Sequence, residues 1–336
     1  MGMQSVVVEP YEAASAWMVT PSSYLMDRIV PDCEQILLPA KREAGGHLTY
    51  GRGPLTENGG DGGRLTRLRR TVLRKTAVDH DMVYDMRRHS PQNWAHFINQ
   101  HLPLFFRVCG LMELEPNKAL LVVPENTPGY IQAAAEVFEL TLLRTDSQLE
   151  GDGILSDLTP WMAVRAAQAD WVRTPYVTRA LARVDALGDD FPENVFLSRR
   201  DTRNIENEDQ VADWLAARGF EKIYPEDLSA AQQLRLFRHA RRIVAVHGAG
   251  QAPLLYAHPG GRLEQMVEIL PCGHMTDVYR VMAHQIGCKW IGVRGKLKPQ
   301  YVQPAYNTQG IFKQFSLDSF EVDLTSLARA FEIAEL

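Results

Sequence analysis

The sequence predicts an α/β protein of two doubly wound domains. Three observations carry this. Short apolar segments alternate with helix-like segments, the pattern of parallel strands joined by crossover helices. The alternation comes in two series, separated by the Gly/Pro/Asp break Ala186-Leu-Gly-Asp-Asp-Phe-Pro192, which sets a boundary near residues 186–193. The second series contains Ile243-Val-Ala-Val-His-Gly-Ala-Gly-Gln251, which reads as a buried strand, a small-residue turn and the start of a helix.

Along the chain the elements follow in order. Residues 45–63 hold eight of the 24 glycines and few core-forming side chains, and read as a long loop. The basic segment 64–75 carries leucines at mixed spacing. It reads as a solvated surface helix, or as a contact with an anionic acceptor or a peripheral membrane surface. Met82-Val-Tyr84 reads as a strand, and residues 93–108 as a helix with apolar positions at 94, 97, 98, 102, 105 and 106. A strand at 119–123, a helix at 130–138 and a strand at 140–143 complete the first series. The second begins with a strand at 194–197, a helix at 210–218 and a strand at 221–224. A helix at 228–241 follows, capped by Ser229 or Asp227, and then the 243–246 strand. A helix at 251–257, a strand at 263–269 and a helix at 277–286 end it.

The chain has 336 residues, 45% of them hydrophobic, enough for two domains. A net charge of −5 argues against a dedicated nucleic-acid binder. Cys33, Cys109, Cys272 and Cys288 lack CxxC spacing and read as buried thiols. There is no signal-peptide pattern and no apolar run of about 18 residues, so the expectation is a soluble, cytoplasmic protein.

Three clusters carry chemistry. In the His247-Gly248-Ala249-Gly250-Gln251 turn, backbone N–H groups and a helix start face outward, a geometry that suits a diphosphate. Arg199, Arg200 and Arg203 follow the 194–197 strand at the carboxyl edge of the sheet and could face the same diphosphate, or pair with Glu206 and Glu208 on the surface. Asn93, His96 and Gln100 share a helix face at i, i+3 and i+4 spacing. His96 is a candidate general base, the bland alternative being a hydrogen-bonded core histidine. A GxSxG elbow, an HExxH motif and a Walker loop are absent, and Pro253 spoils a GxGxxG match. Asp79-His-Asp81 matches a metal-holding DxD pattern, a cheap three-residue match. No metal and no cofactor are expected.

Taken together, Ser198-Arg199, Arg203-x-Ile205-x-Asn207-Glu208, Phe237-x-x-Ala240, Ile243 to Gly250 and Pro259-Gly260 resemble glycosyltransferase family 61. Asn93-Trp-Ala-His96-Phe is similar to that family's Asn-Tyr-x-His-Trp helix, and the resemblance spans about residues 80–295. It implies a GT-B fold, two Rossmann-like domains facing across a cleft, with residues 1–188 on the acceptor side. Residues 189–318 would bind the nucleotide sugar, and a helix in 319–336 would pack back on the N-terminal domain. It also implies inverting, metal-independent transfer from a nucleotide-diphosphate sugar to a glycan acceptor, as in surface or capsular polysaccharide synthesis. The family's Val-Ile-Glu maps onto Glu264 or Glu268, either of which could bind ribose hydroxyls. Gln100 stands where relatives carry Asp or Glu, and Gln251-Ala-Pro253 where they carry Leu-Thr-Asn. The base is then His96 or another residue. The rival functions are an inactive nucleotide-sugar-binding or assembly subunit, and a nucleotide-sugar epimerase on the same fold.

Overall fold

The computed structural model describes residues 2–21, 24–25, 28–29, 33–55, 75–78, 80, 82–188, 191–298 and 315–336. The chain runs β1 (Gln4–Val8), β2 (Ala16–Pro21), β3 (Cys33–Leu38), β4 (Gly46–Pro54) and β5 (Val83–Asp85). Helix α1 (94–111), β6 (Leu120–Val123), α2 (Gly129–Val137), β7 (Thr141–Arg144) and β8 (Asp152–Thr159) come next. They are followed by α3 (Val164–Val172), α4 (Pro175–Asp185), β9 (Asn194–Leu197), α5 (Glu208–Ala216) and β10 (Glu221–Ile223). Then come α6 (Ala230–His239), β11 (Arg242–Val246), a 3₁₀ helix (Ala249–Tyr256) and β12 (Gln265–Leu270). The last elements are α7 (Val278–Gln285), β13 (Lys289–Arg294) and α8 (Leu324–Ala334). Among the described residues no helix is long and apolar enough to cross a membrane. The basic segment at 64–74, and with it the proposed anionic contact, lies outside the described residues, as do Asp79 and Asp81.

The fold is mixed α/β with parallel-rich sheets, in two compact units. Unit 1 comprises residues 1–11, 42–187 and 229–232. Its sheet has the order β1-β4-β8-β5-β6-β7. Strands β8, β5, β6 and β7 are parallel, and β4 lies antiparallel between β1 and β8. Of the glycine-rich stretch, 46–54 is therefore a strand where a loop was expected, and 56–63 lies outside the described residues. Its glycines mark close approach: a Cβ at Gly46 would stand 2.5 Å from the Thr159 carbonyl oxygen. From β5 the chain steps to β6 and β7 on one side, then returns through β8 on the other. That reversal makes β5 and β8 a topological switch point, where such sheets bind ligands at their carboxyl ends.

Unit 2 comprises residues 12–41, 188–228 and 233–336, so residues 12–41 of the expected N-terminal domain belong to it. The sheet order is β10-β9-β11-β12-β13-β2-β3, all parallel except the antiparallel edge strand β3. Central strands of such a sheet are covered on both faces, which is why Ile243 to Val246 is an unbroken apolar run. Here the chain steps from β9 outward to β10 and back across to β11, so the switch point lies between β9 and β11. Helix α8 starts at Asp323, whose carboxylate accepts from the Ser326 amide at 2.8 Å. Its residues Leu327, Ala330, Phe331 and Ala334 fall on one face and enter the core of unit 2. The C-terminal helix set by sequence against the N-terminal domain thus covers β2 and β13 of unit 2. Helix α6 opens with a reciprocal box: Ser229 Oγ accepts from the Gln232 amide, and Gln232 Oε1 accepts from the Ser229 amide. Asp227, the other expected cap, pairs with Arg200 instead.

Candidate functional site

Each switch point carries part of the chemistry. In unit 2, β9 ends at Leu197 and delivers Ser198 and Arg199, while its neighbour β11 ends at Val246 and delivers His247 and Gly248. Glu208 braces the first turn, accepting from Ser198 Oγ and from the Tyr224 hydroxyl at 2.9 Å. Asn207 ties it to the chain end, donating to the Val322 carbonyl and accepting from its amide, both at 2.9 Å. Both motif residues are thus structural.

Arg199 Nη1 donates to the His247 carbonyl at 3.2 Å, so the guanidinium lies directly against the glycine turn. Gly248 is required by that approach, because a Cβ there would fall 1.7 Å from Arg199 Nη1. Arg203, at φ 61°, turns its side chain so that Nε donates to the Ser316 carbonyl at 2.6 Å. Among the described residues neither Arg199 nor Arg203 has a carboxylate partner within ion-pair distance. Burial lowers the pKa of both guanidinium groups, and the charge of Arg199 lowers Arg203 further. Two half-buried, like-charged groups side by side are costly until an anion joins them.

Arg200 does not belong to that pair. It grips Asp227 with both terminal nitrogens at 2.5 Å and lies 3.8 Å over the Tyr224 ring, exposed. Arg200 is thus a surface arginine, though paired with Asp227 and not with Glu206 or Glu208, which bond Lys298 and Ser198. Arg199→Ala should therefore weaken nucleotide-sugar binding about tenfold to a hundredfold, and Arg200→Ala by less than about threefold. Titration calorimetry on the two variants checks this; equal losses would put Arg200 back at the site.

The remaining residues of this cluster sort by place. Ala249 and Gly250 are half-buried in the turn, at the start of a tight 3₁₀ helix where an α-helix was expected. Gln251 is 1% exposed and donates from Nε2 to the Val246 carbonyl at 3.0 Å, bracing the turn from inside. Glu268 has no exposed surface and accepts from His247 and Trp290, so it is sealed from any ribose. Glu264 precedes β12, at the amino edge of the parallel sheet, and is paired with Arg241 at 2.8 Å. Neither carboxylate is placed for the ribose role, because Glu268 is buried within the sheet and Glu264 lies before β12, at the opposite edge from the strands' carboxyl ends.

In unit 1 a pocket of about 60 Å³ opens at the carboxyl ends of β5 and β8, lined by Tyr84, Asp85, His89, His101, Ser156, Asp157 and Trp161 among others. Helix α1 enters it through a π-helical turn, Phe97–His101, where the Leu102 amide donates to the Phe97 carbonyl. This wider turn changes which side chains share a face. His96 and Gln100 were expected to align; instead His96 and His101 do. His96 Nδ1 and His101 Nε2 both reach the His89 carbonyl oxygen, at 3.1 and 3.3 Å. A carbonyl only accepts, so each neutral ring carries its proton on that nitrogen. His96 Nε2 is then left with a lone pair, the form a general base needs. His89 and Ser90 hold left-handed φ of 57° and 56° to aim that carbonyl, a strained pair of the kind found at functional sites.

Asn93 caps the helix, its Oδ1 accepting from the His96 amide at 3.2 Å, and Gln100 is buried with no partner for Oε1 among the described residues. Sequence reasoning missed Asp157 and Trp161. Asp157 is an exposed carboxylate without an ion-pair or hydrogen-bond partner among the described residues, whereas Asp85 is spent on Arg87 at 2.7 Å. Trp161 stacks on His89 at 4.3 Å. Neither follows an apolar run or a motif that would have flagged it.

Burial pulls His101 down from 6.5 to about 3, against a smaller opposing pull from its bond to His89. The unfolded chain takes this proton near 6.5 and the folded one does not until about 3. Stability is thus complete above about 6.5 and falls as pH drops through that window. Melting temperatures of the wild type should decline from pH 6.5 to 4, and His101→Gln should flatten the decline. An unchanged slope would mean that other groups dominate.

The glycosyltransferase 61 family model matches residues 94–263, just over half of the chain, taking in the α1 histidines, the Arg199 turn and the His247–Gly250 loop. No curated protein matches the chain. A family match of that extent, coinciding with the carboxyl edges of both parallel-rich sheets, has one meaning: the chain belongs to glycosyltransferase family 61.

Proposed function

We propose that the protein is a metal-independent, inverting GT-B glycosyltransferase. It moves a sugar from a nucleotide-diphosphate sugar to a glycan acceptor, in the building of a surface or capsular polysaccharide. Unit 2 takes the donor and unit 1 the acceptor, with His96 as general base. The observation that carries the reading is Arg199, half-buried against the Gly248 turn at the β9/β11 switch point with its charge acting on Arg203, and with no carboxylate within ion-pair distance of either among the described residues. A diphosphate supplies the missing negative charge. As the sugar leaves, the charge building on the diphosphate is stabilised by these guanidinium groups and the turn amides, already in place.

The test is incubation with a panel of nucleotide sugars, with and without glycan acceptor. Acceptor-dependent release of a nucleoside diphosphate supports the transferase. Binding without turnover favours the inactive subunit, and acceptor-free conversion of the donor favours the epimerase. Turnover should also persist in excess EDTA, since arginines carry the charge. Activity lost in EDTA and restored by manganese would return Asp79-His-Asp81 to the mechanism.

A further inference from the structure

The buried carboxylate of Glu268 has a job that the loop motif does not explain. It sits on β12 between Ala245 of β11 and Gly292 of β13. On the same face, its diagonal neighbours are His247, two residues beyond Ala245, and Trp290, two residues before Gly292. Gly292 leaves the room for this: a Cβ there would stand 2.6 Å from the Trp290 ring. Trp290 Nε1 donates to Glu268 Oε2 at 2.7 Å, and His247 Nδ1 meets Oε1 at 2.6 Å.

An indole N–H is a fixed, neutral donor, and a buried carboxylate needs its second oxygen satisfied as well. His247 supplies that proton, so Nδ1 carries a hydrogen and Nε2 becomes the working atom. The residue cannot swing away. Its amide donates to the Ile269 carbonyl at 2.8 Å, and its carbonyl accepts from Arg199. Among the described residues Nε2 has no hydrogen-bond partner. In the neutral ring this atom holds a lone pair, which an anionic phosphate oxygen cannot meet. It can do so only after the ring gains a second proton, and Glu268 is the counter-charge for the imidazolium.

We infer that Glu268 is a positioning residue for the donor: it holds His247 so that Nε2 takes up a proton and donates it in a hydrogen bond to the diphosphate. This rests on the reading of unit 2 as the nucleotide-sugar site. Among the described residues, the other titratable or charged groups facing His247 are Tyr279 on α7, with its ring 5.6 Å away, His274 in the turn after β12, at 5.3 Å, and Arg199. Arg203 adds its charge beside Tyr279.

Titration calorimetry of the full chain with UDP-, GDP-, dTDP- and ADP-glucose, in buffers of different ionisation enthalpy from pH 7 to 9.5, tests this. The diphosphate is a diester with no proton to exchange in that range, and the base N–H of uracil, thymine and guanine ionises only above about pH 9, so uptake below about pH 8.5, or with ADP-glucose throughout, belongs to the protein. Wild type should take up as much as about one proton at some pH in the series. His247→Gln and Glu268→Gln should each abolish the uptake and weaken binding about tenfold or more. The double variant should bind no worse than the weaker single one, since the two act as a unit. His274→Gln should keep the uptake. Should Glu268→Gln fail to fold, Trp290→Phe, which frees one carboxylate oxygen, should reduce both uptake and affinity. Binding by wild type with no uptake at any pH, or uptake that survives in His247→Gln, overturns the inference while leaving the donor site standing. If no sugar nucleotide binds folded wild type, the donor site itself is wrong.

Discussion

His96→Ala should lower kcat by about 10²–10⁴-fold while donor affinity stays within about threefold of wild type. The size follows from what general-base assistance contributes when a positioned group takes a proton in the transition state. The site supplies the requirement: Nδ1 is committed to the His89 carbonyl, so Nε2 is the free lone pair. His96→Asn keeps a hydrogen bond to that carbonyl and cannot take the proton, so it should be as slow as His96→Ala. Wild-type turnover in His96→Asn would remove the residue from the mechanism. The unpartnered carboxylate of Asp157 in the same unit is then the group to replace, and Asp157→Asn should show the missing loss. Circular dichroism and melting curves on each variant separate a catalytic loss from a folding one.

Gly248→Val should reduce donor affinity by more than about a hundredfold and leave the circular dichroism spectrum near native. The valine Cβ would take the place of Arg199 Nη1, 1.7 Å away. The guanidinium must then leave the His247 carbonyl, and with it goes the charge proposed to meet the diphosphate. Since Arg199 is half exposed, the displacement costs the fold little. Gly250→Val tests the turn from its other side, where the obstacle is the Pro225 ring at 2.8 Å, which cannot retract as an arginine can. Undiminished affinity in both variants would show that the donor does not touch this loop.

How far these sites could be read from sequence differs between their parts. Several parallel strands were legible because burial on both faces writes them as short apolar runs, as in Ile243 to Val246, but β2 and β13 were not read as strands. Strand β8 was not, because Asp152-Gly-Ile-Leu-Ser-Asp-Leu-Thr159 mixes exposed polar residues with buried ones, and it delivers Asp157 to the pocket. The glycines of β4 imitated a loop, although they serve close packing between antiparallel neighbours. The His96–His101 partnership was hidden as well. Sequence periodicity assumes 3.6 residues per turn, and the π segment inserts a wider one at the functional position. Among the arginines, types and spacing alone could not separate Arg199 from Arg200. The choice depends on Asp227, which lies twenty-seven residues further along the chain than Arg200.

The way unit 2 is threaded constrains how the molecule is made. Strand β2 is made well before its parallel partner β13, which is synthesised about 270 residues later. Until then β2 and its antiparallel neighbour β3 have no sheet to join, and the exposed apolar side chains of Trp17, Ile36 and Leu37 have no large core beneath them. Loop closure over that span is entropically slow. Unit 1 can assemble from residues already translated, but unit 2 is completed last, from segments on either side of unit 1 in the sequence. A fragment beginning at residue 188 would lack β2 and β3 and leave the backbone edge of β13 open to pairing with other chains.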